Sequence, residues 1–211
     1  MKNLNRLGCL LVLALISAGP AAAGDPPAKK GETPKVSKTG TIKGRVKNRW
    51  VKRFPAVVYL TKIKGKTFKA PKKPVVIDQA GKIFSPRVVP ILVGTTVRFH
   101  NSDPFEHNVL SPKPKFDLGK WSQGKHRDRV FKKTGPVTLL CNLHPEMIGY
   151  VVVCDTPYFA ITNKKGKFKI KGVPPGTYTI TTWHERLKPA KAQITVVADS
   201  TASVTLKPKK R

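Results

Sequence analysis

Four residues in the middle of the chain have the types and spacing to hold a transition metal. Cys141, His144 and Met147 follow one another at intervals of three in CNLHPEM, directly after the apolar run VTLL. His107 lies upstream in SDPFEHNVLS, beyond the alternating stretch TTVRFHN. One thiolate, two imidazoles and a thioether make the trigonal His2Cys set with a weak axial Met that suits blue copper. Soft thiolate stabilises the cuprous ion, imidazole accepts both oxidation states, and a long thioether bond raises the potential. A zinc site would take another Cys or His in place of Met147.

The other cysteines and histidines read differently. A disulfide between Cys141 and Cys154 would remove the thiolate. If Cys141 faces Tyr150 across the turn, Cys154 faces Val137, four residues along the strand. At about 3.3 Å per residue that is roughly 13 Å, beyond the ~7 Å Cα limit for bridging. Cys154 is therefore expected as a small buried apolar residue. The alternative for Met147 is plain core packing. His100 falls on the polar face of its strand, His126 sits among Lys125, Arg127 and Arg129, and His184 stands beside Trp183, so structural or solvated roles are expected for all three. A second copper cluster has no histidines left to build it. Hydrolytic motifs, a phosphate-binding Gly loop and a dinucleotide fingerprint are absent, so the reading is of a protein that is not an enzyme.

Residues 84–155, with FSPRVVPILVGTTVRFHNSD, HNVLS and CNLHPEMIGYVVV, resemble the cupredoxins, in particular the plastocyanin-like and amicyanin-like proteins and the chains called methylamine utilisation proteins. The pair His144-Pro145 between Cys and Met is similar to the short amicyanin loop. The resemblance implies a Greek-key β-sandwich with one type 1 copper on His107, Cys141, His144 and Met147. It also implies that Asn108 ties the ligand loops together by hydrogen bonds. The implied activity is single-electron transfer, with His144 as the solvent-facing port inside an apolar rim of Leu143, Pro145, Ile148, Pro104 and Phe105. Further on, GKFKIKGVPPGTYTITTWH resembles carboxypeptidase-regulatory-like β-sandwich domains, and TIKGRV with AVVYLT looks like the opening strands of the same module.

The elements that must position these residues are short strands. The 211 residues include 16 Gly and 19 Pro, and runs of alternating apolar residues end at Gly/Pro turns at close spacing, without helical period. The expected class is all-β: a cupredoxin Greek-key sandwich plus a second small β-sandwich. Residues 1–23 read as a signal peptide, with Lys2 and Arg6 before the apolar Leu7–Ala18 run and Ala21-Ala22-Ala23 at the cleavage site. A flexible linker is expected over 24–40 and strands of the second sandwich over 41–74. The copper domain should span 75–155, inserted into a sandwich that resumes over 156–207, with 208–211 as a basic tail.

Charge divides the chain the same way. The formal net charge of +30 is distributed as +2 over residues 1–23, +14 over 24–75, +4 over 76–155 and +10 over 156–211. An export signal places the protein in the periplasm or otherwise outside the cytoplasm, where nucleic acid is not an expected partner. The expected partners are a redox protein, acidic in character, or an anionic envelope polymer, met by Lys-rich segments that read as flexible. Two further functions stay open: copper delivery, with the metal as cargo, and surface binding by a cationic protein whose copper fold is vestigial.

Overall fold

The computed structural model describes residues 38–211, so the expected signal peptide and nearly all of the expected linker lie outside the described residues. Among the described residues, apart from one 3-10 turn at Arg49–Lys52, every regular element is a strand. The chain begins with β1 (Gly40–Val46) and β2 (Val57–Leu60). It continues through β3 (Val75–Gln79), β4 (Phe84–Ser85), β5 (Val88–Leu92), β6 (Thr96–Asn101), β7 (His107–Pro112), β8 (Lys115–Trp121), β9 (His126–Val130), β10 (Gly135–Leu140) and β11 (Ile148–Cys154). It closes with β12 (Phe159–Ile161), β13 (Lys167–Val173), β14 (Gly176–Trp183), β15 (Lys191–Val196) and β16 (Thr201–Leu206).

These strands make four sheets and two cores. The order β5-β11-β10-β7-β8 forms one sheet and β4-β3-β6-β9 the sheet facing it. Between them lie Ile77, Phe99, Val109, Leu139 and Val151, together with Cys141 and Met147. The second sandwich is built from β13-β1-β16 and β12-β2-β14-β15 around Ile42, Leu60, Ile170, Ile180 and Leu206. In it β1 runs antiparallel to β13 and parallel to β16, while β2 pairs with β12 and β14. Strands from before and after the 75–155 stretch thus share one sandwich. Among the described residues no helix is long and apolar enough to cross a membrane.

Side-chain alternation explains most of the strands. In β6 the core receives Val97, Phe99 and Asn101, while Thr96, Arg98 and His100 stay half-exposed. The run VVVC in β11 does not alternate because both of its faces are covered. Val151 and Val153 enter the first core, whereas Val152 and Cys154 join Val57, Val88 and Trp183 in a third cluster between the sandwiches. Cys154 is a free, buried thiol there, its pKa pushed up to about 12 by burial and by the nearby Asp155 carboxylate. Beside this cluster Arg87 grips Glu185 with two hydrogen bonds of 2.7 and 2.9 Å, fastening the start of β5 to the turn after β14.

Four details differ from the sequence-based expectation. The β10–β11 ladder sets Thr138, and not Cys141, opposite Tyr150, so Cys141 lies beyond the last rung, Leu140 to Ile148. Both cysteines remain free, as expected. The polar, Pro/Gly-broken 111–129 stretch, whose sequence reads as a long loop or poorly regular strand, holds β8 and most of β9: Gly119 takes positive φ inside β8, and Gly124, also at positive φ, turns the chain between the two strands. Gly40 belongs to β1 and not to a linker: a Cβ there would meet the Val196 side chain and the Val197 carbonyl at 2.5 Å. The basic tail is docked, with Pro208 buried, Lys188 N–H donating to Lys209 O at 2.8 Å, and Arg211 Nε donating to Leu187 O at 3.0 Å. Its backbone continues past β16 alongside the 184–188 turn, whose unpaired polar groups it satisfies.

Candidate metal centre

Antiparallel pairing brings the ligand-bearing segments to one end of the first sandwich. Leu110 of β7 stands opposite Leu140 of β10, so the start of β7 and the loop after β10 meet. His107 is the first residue of β7, and the loop supplies Cys141 and His144. The three donor atoms form a compact triangle. Cys141 Sγ lies 3.9 Å from His107 Nδ1 and 4.0 Å from His144 Nδ1, and the two nitrogens are 3.0 Å apart. A triangle with sides of 3.0, 3.9 and 4.0 Å has a circumradius of about 2.1 Å, which matches metal bonds of ~2.0–2.3 Å to imidazole and thiolate. The donor set therefore fits a metal ion in size as well as in chemistry. Met147 closes the loop with its N–H donating to His144 O at 3.0 Å, and its fully buried side chain packs in the same core cluster as Cys141.

A hydrogen-bond shell holds the triangle. Asn108 Oδ1 accepts from the Asn142 N–H at 2.8 Å, joining the β7 segment to the residue after Cys141. Asn108 Nδ2 donates to Asp117 Oδ1 at 3.2 Å, which orients the amide. His107 is fully buried, and its Nε2 stands 2.8 Å from Asp103 Oδ2. That contact places the proton on Nε2 and leaves Nδ1 free toward the triangle, the second-layer arrangement expected of a metal-bound imidazole. Burial alone would raise the Asp103 pKa. The Lys82 N–H, the His107 ring and the Gly81 N–H together hold its carboxyl below the usual value.

The chain folds this way for local reasons. Gly81 and Lys82 both take positive φ in the tight β3–β4 turn, so successive N–H groups point at Asp103, at 2.6 and 2.9 Å. Asn101, inward-facing at the end of β6, accepts from Asp103 N–H at 3.0 Å and donates to Phe105 O and Trp121 O. This is an Asx-type turn that shapes the whole 102–106 loop. Phe105 then lays its ring against both imidazoles, with centroids 5.2 Å from His107 and 5.3 Å from His144. His144 is half-buried, and Leu143 and Phe105 beside it are exposed large apolar residues.

The structure brings together His107, Cys141, His144 and Asn108, with Met147 at the end of the same loop. Asp103, Asn101 and the Gly81–Lys82 turn went unnoticed in the sequence, although NSDP is a turn signature with a carboxylate four residues before a candidate ligand. The remaining histidines lie apart from the triangle. His100 and His126 face each other across β6 and β9. His184 is buried, its Nε2 3.1 Å from Phe54 O and its Nδ1 accepting from Arg186 N–H, and burial lowers its pKa.

Comparison with known proteins returns two kinds of likeness. The model of the carboxypeptidase regulatory-like domain matches residues 149–208. Similar solved structures include a reduced amicyanin variant, 23% identical, covering 40% of this chain and 86% of that one, with a TM-score of 0.38. A copper-containing nitrite reductase from Thermus scotoductus SA-01 is 28% identical over 46% of this chain and 25% of its own, with a TM-score of 0.39. A purple cupredoxin from Nitrosopumilus maritimus is 28% identical over 37% of this chain and 98% of its own, with a TM-score of 0.35. No curated protein matches the chain in sequence. The matching family model is one of the two resemblances that the sequence carries.

Proposed function

We propose that this protein is an exported electron carrier with one copper ion in a type 1 site, and that it is not an enzyme. The observation that supports this most is the triangle of His107 Nδ1, Cys141 Sγ and His144 Nδ1, sized for a metal ion and backed by the Asp103 carboxylate. Copper bound there supplies a one-electron couple. Cys141 would supply the thiolate, His107 and His144 the imidazoles, and Met147 a weak thioether donor. Asp103 and Asn108 hold the donors in fixed orientation, which keeps reorganisation small when an electron is gained or lost. The half-buried His144, ringed by Leu143 and Phe105, is the exit toward a redox partner, and the basic surface fits an acidic one.

Copper delivery is the competing reading. Burial of Cys141 and His107, at 4% and 0% exposure, favours a retained ion over cargo. The deciding experiment is reconstitution with Cu(II), followed by visible spectroscopy, redox titration and challenge with a cuprous chelator. An electron carrier shows an intense thiolate-to-copper band, reduces reversibly and keeps its metal in both states. Copper that binds without the band, or leaves on reduction, would overturn the proposal.

A further inference from the structure

The second sandwich carries two concavities side by side at one end. The first, about 750 Å³, is lined by Arg45 and Lys47 at the end of β1, Arg49 and Lys52 of the 3-10 turn, and Lys164 and Lys165 of the β12–β13 turn. The second, about 370 Å³, lies between the start of β15 and the end of β16, with Lys188, Lys191, Lys207 and Lys209 around it. Strand register makes them neighbours. Val46 of the first stands opposite Leu206 of the second in the parallel β1–β16 pair. Asn48, from the first, donates through Nδ2 to Pro208 O of the second at 2.9 Å, forming the wall between them.

Every one of these cations is exposed, and no carboxylate lines either concavity. Two acidic residues of this sandwich are engaged elsewhere, Glu185 with Arg87 and Asp199 with Lys38. The charges are also held on pinned backbone. Asn163 Oδ1 accepts from the Lys165 and Lys167 N–H groups at 3.0 and 2.9 Å, and Gly166 O accepts from Val46 N–H at 2.8 Å. Gly166, at φ +73°, presses so closely on Val46 O that a Cβ has no room. Asn48 Oδ1 caps the 3-10 turn by accepting from Trp50 N–H at 3.1 Å. Like charges gathered this way repel one another, and an anion laid among them relieves the repulsion without reordering the backbone that carries them.

We propose that this paired cleft is a binding track for a linear polymer of closely spaced phosphate groups. Two concavities in a row admit an extended chain, whereas the convex face of a folded acidic protein reaches only their rims. The guanidinium forks of Arg45 and Arg49 match phosphate oxygens in bidentate geometry, and the lysines act as point charges along the strand. The inference is independent of the copper reading, because none of its residues belongs to the metal centre.

The test is a titration of the protein with inorganic polyphosphate, with polyglutamate of matched charge, and with vesicles containing phosphatidylglycerol. A cleft variant carries Arg45→Gln, Arg49→Gln, Lys164→Gln and Lys165→Gln. A control removes the same charge elsewhere, with Lys64→Gln, Lys66→Gln, Lys72→Gln and Lys73→Gln, and circular dichroism verifies the fold of both. Polyphosphate is expected to bind with an affinity that falls at least roughly tenfold in the cleft variant at 0.15 M salt. The slope of log affinity against log salt is expected to shrink by about three, and the control is expected to change far less on both measures. Equal losses in both variants would reduce the effect to net charge and overturn the cleft. Polyglutamate binding as tightly as polyphosphate would overturn the phosphate assignment. Vesicle binding without polyphosphate binding would give the surface to a membrane and overturn the linear polymer.

Discussion

At the scale of single residues, the metal centre divides its work between donors and the groups that aim them. Cys141→Ser is expected to abolish the visible copper band while leaving the fold intact, since a hydroxyl is a poor donor to cuprous ion and nearly isosteric with the thiol. Absorption spectra of the reconstituted variant check this, and a surviving intense band would remove Cys141 from the site. Met147→Leu should retain copper and raise the potential, because the weak axial donor is lost. Protein-film voltammetry reads that shift directly. Asp103→Ala acts one layer out. It strips the acceptor from His107 Nε2 and from the Gly81 and Lys82 N–H groups. Copper affinity should fall by about 10–100-fold, measured by competition with a chelator. An unchanged affinity would mean that the packing of His107 alone sets its orientation.

At the scale of elements, the junction between the sandwiches is the place where a single change should be felt most. Arg87 stacks over the Phe54 ring, 4.6 Å from its centroid, while its two nitrogens hold Glu185, whose side chain is only 10% exposed. Arg87→Ala takes from that carboxylate its charged partner, at a cost of roughly 1.5–3 kcal/mol. Burial works to raise the Glu185 pKa, but hydrogen bonds from Arg87 and Tyr150 outweigh it and hold the carboxyl below its ordinary value. A carboxyl depressed on folding contributes stability that is present above its unfolded pKa and is lost as pH falls through the folded one. Urea unfolding from neutral to acid pH should therefore show the wild type losing more stability than Arg87→Ala, so that the two curves converge at low pH. Parallel curves would show that the pair contributes little. The element scale also shows why β11 reads as a continuous apolar run: one face completes the core of the first sandwich and the other docks the second sandwich.

At the scale of the whole molecule, charge is polarised. The stretch over 76–155 carries +4, whereas 24–75 and 156–211 carry +14 and +10. Long-range attraction of an acidic electron acceptor is the expected consequence. Stopped-flow electron transfer to an acidic cytochrome should be fast at low salt and slow steeply as the Debye length contracts from about 10 Å at 0.1 M to about 3 Å at 1 M. A basic cytochrome should react slowly, with a rate that rises with salt. Equal rates for the two acceptors, flat with salt, would leave the charge without a part in docking.

Much of this protein is written in local pattern, and local pattern survives folding. The triplet spacing of Cys141, His144 and Met147 is covalent, so the donor types that meet in one loop are decided before any strand pairs. The two-residue period of TTVRFHN is equally local, and it also places Asn101 on the inward face. Pairing between distant segments is a different matter. Many registers satisfy the same alternation, and only the packed sheets select one. That is why the sequence misplaced Cys141 opposite Tyr150 when Thr138 stands there. It is also why Asp103 went unseen, since its role depends on a β3–β4 turn about twenty residues upstream in the chain aiming two N–H groups at it. The Arg87–Glu185 clamp spans two sandwiches, the docked tail depends on the 184–188 turn, and the basic cleft gathers cations from opposite ends of the chain. The covalent order determined which donors and charges the protein owns, and only the tertiary structure decided which of them meet, because contact between remote residues is set by register and packing.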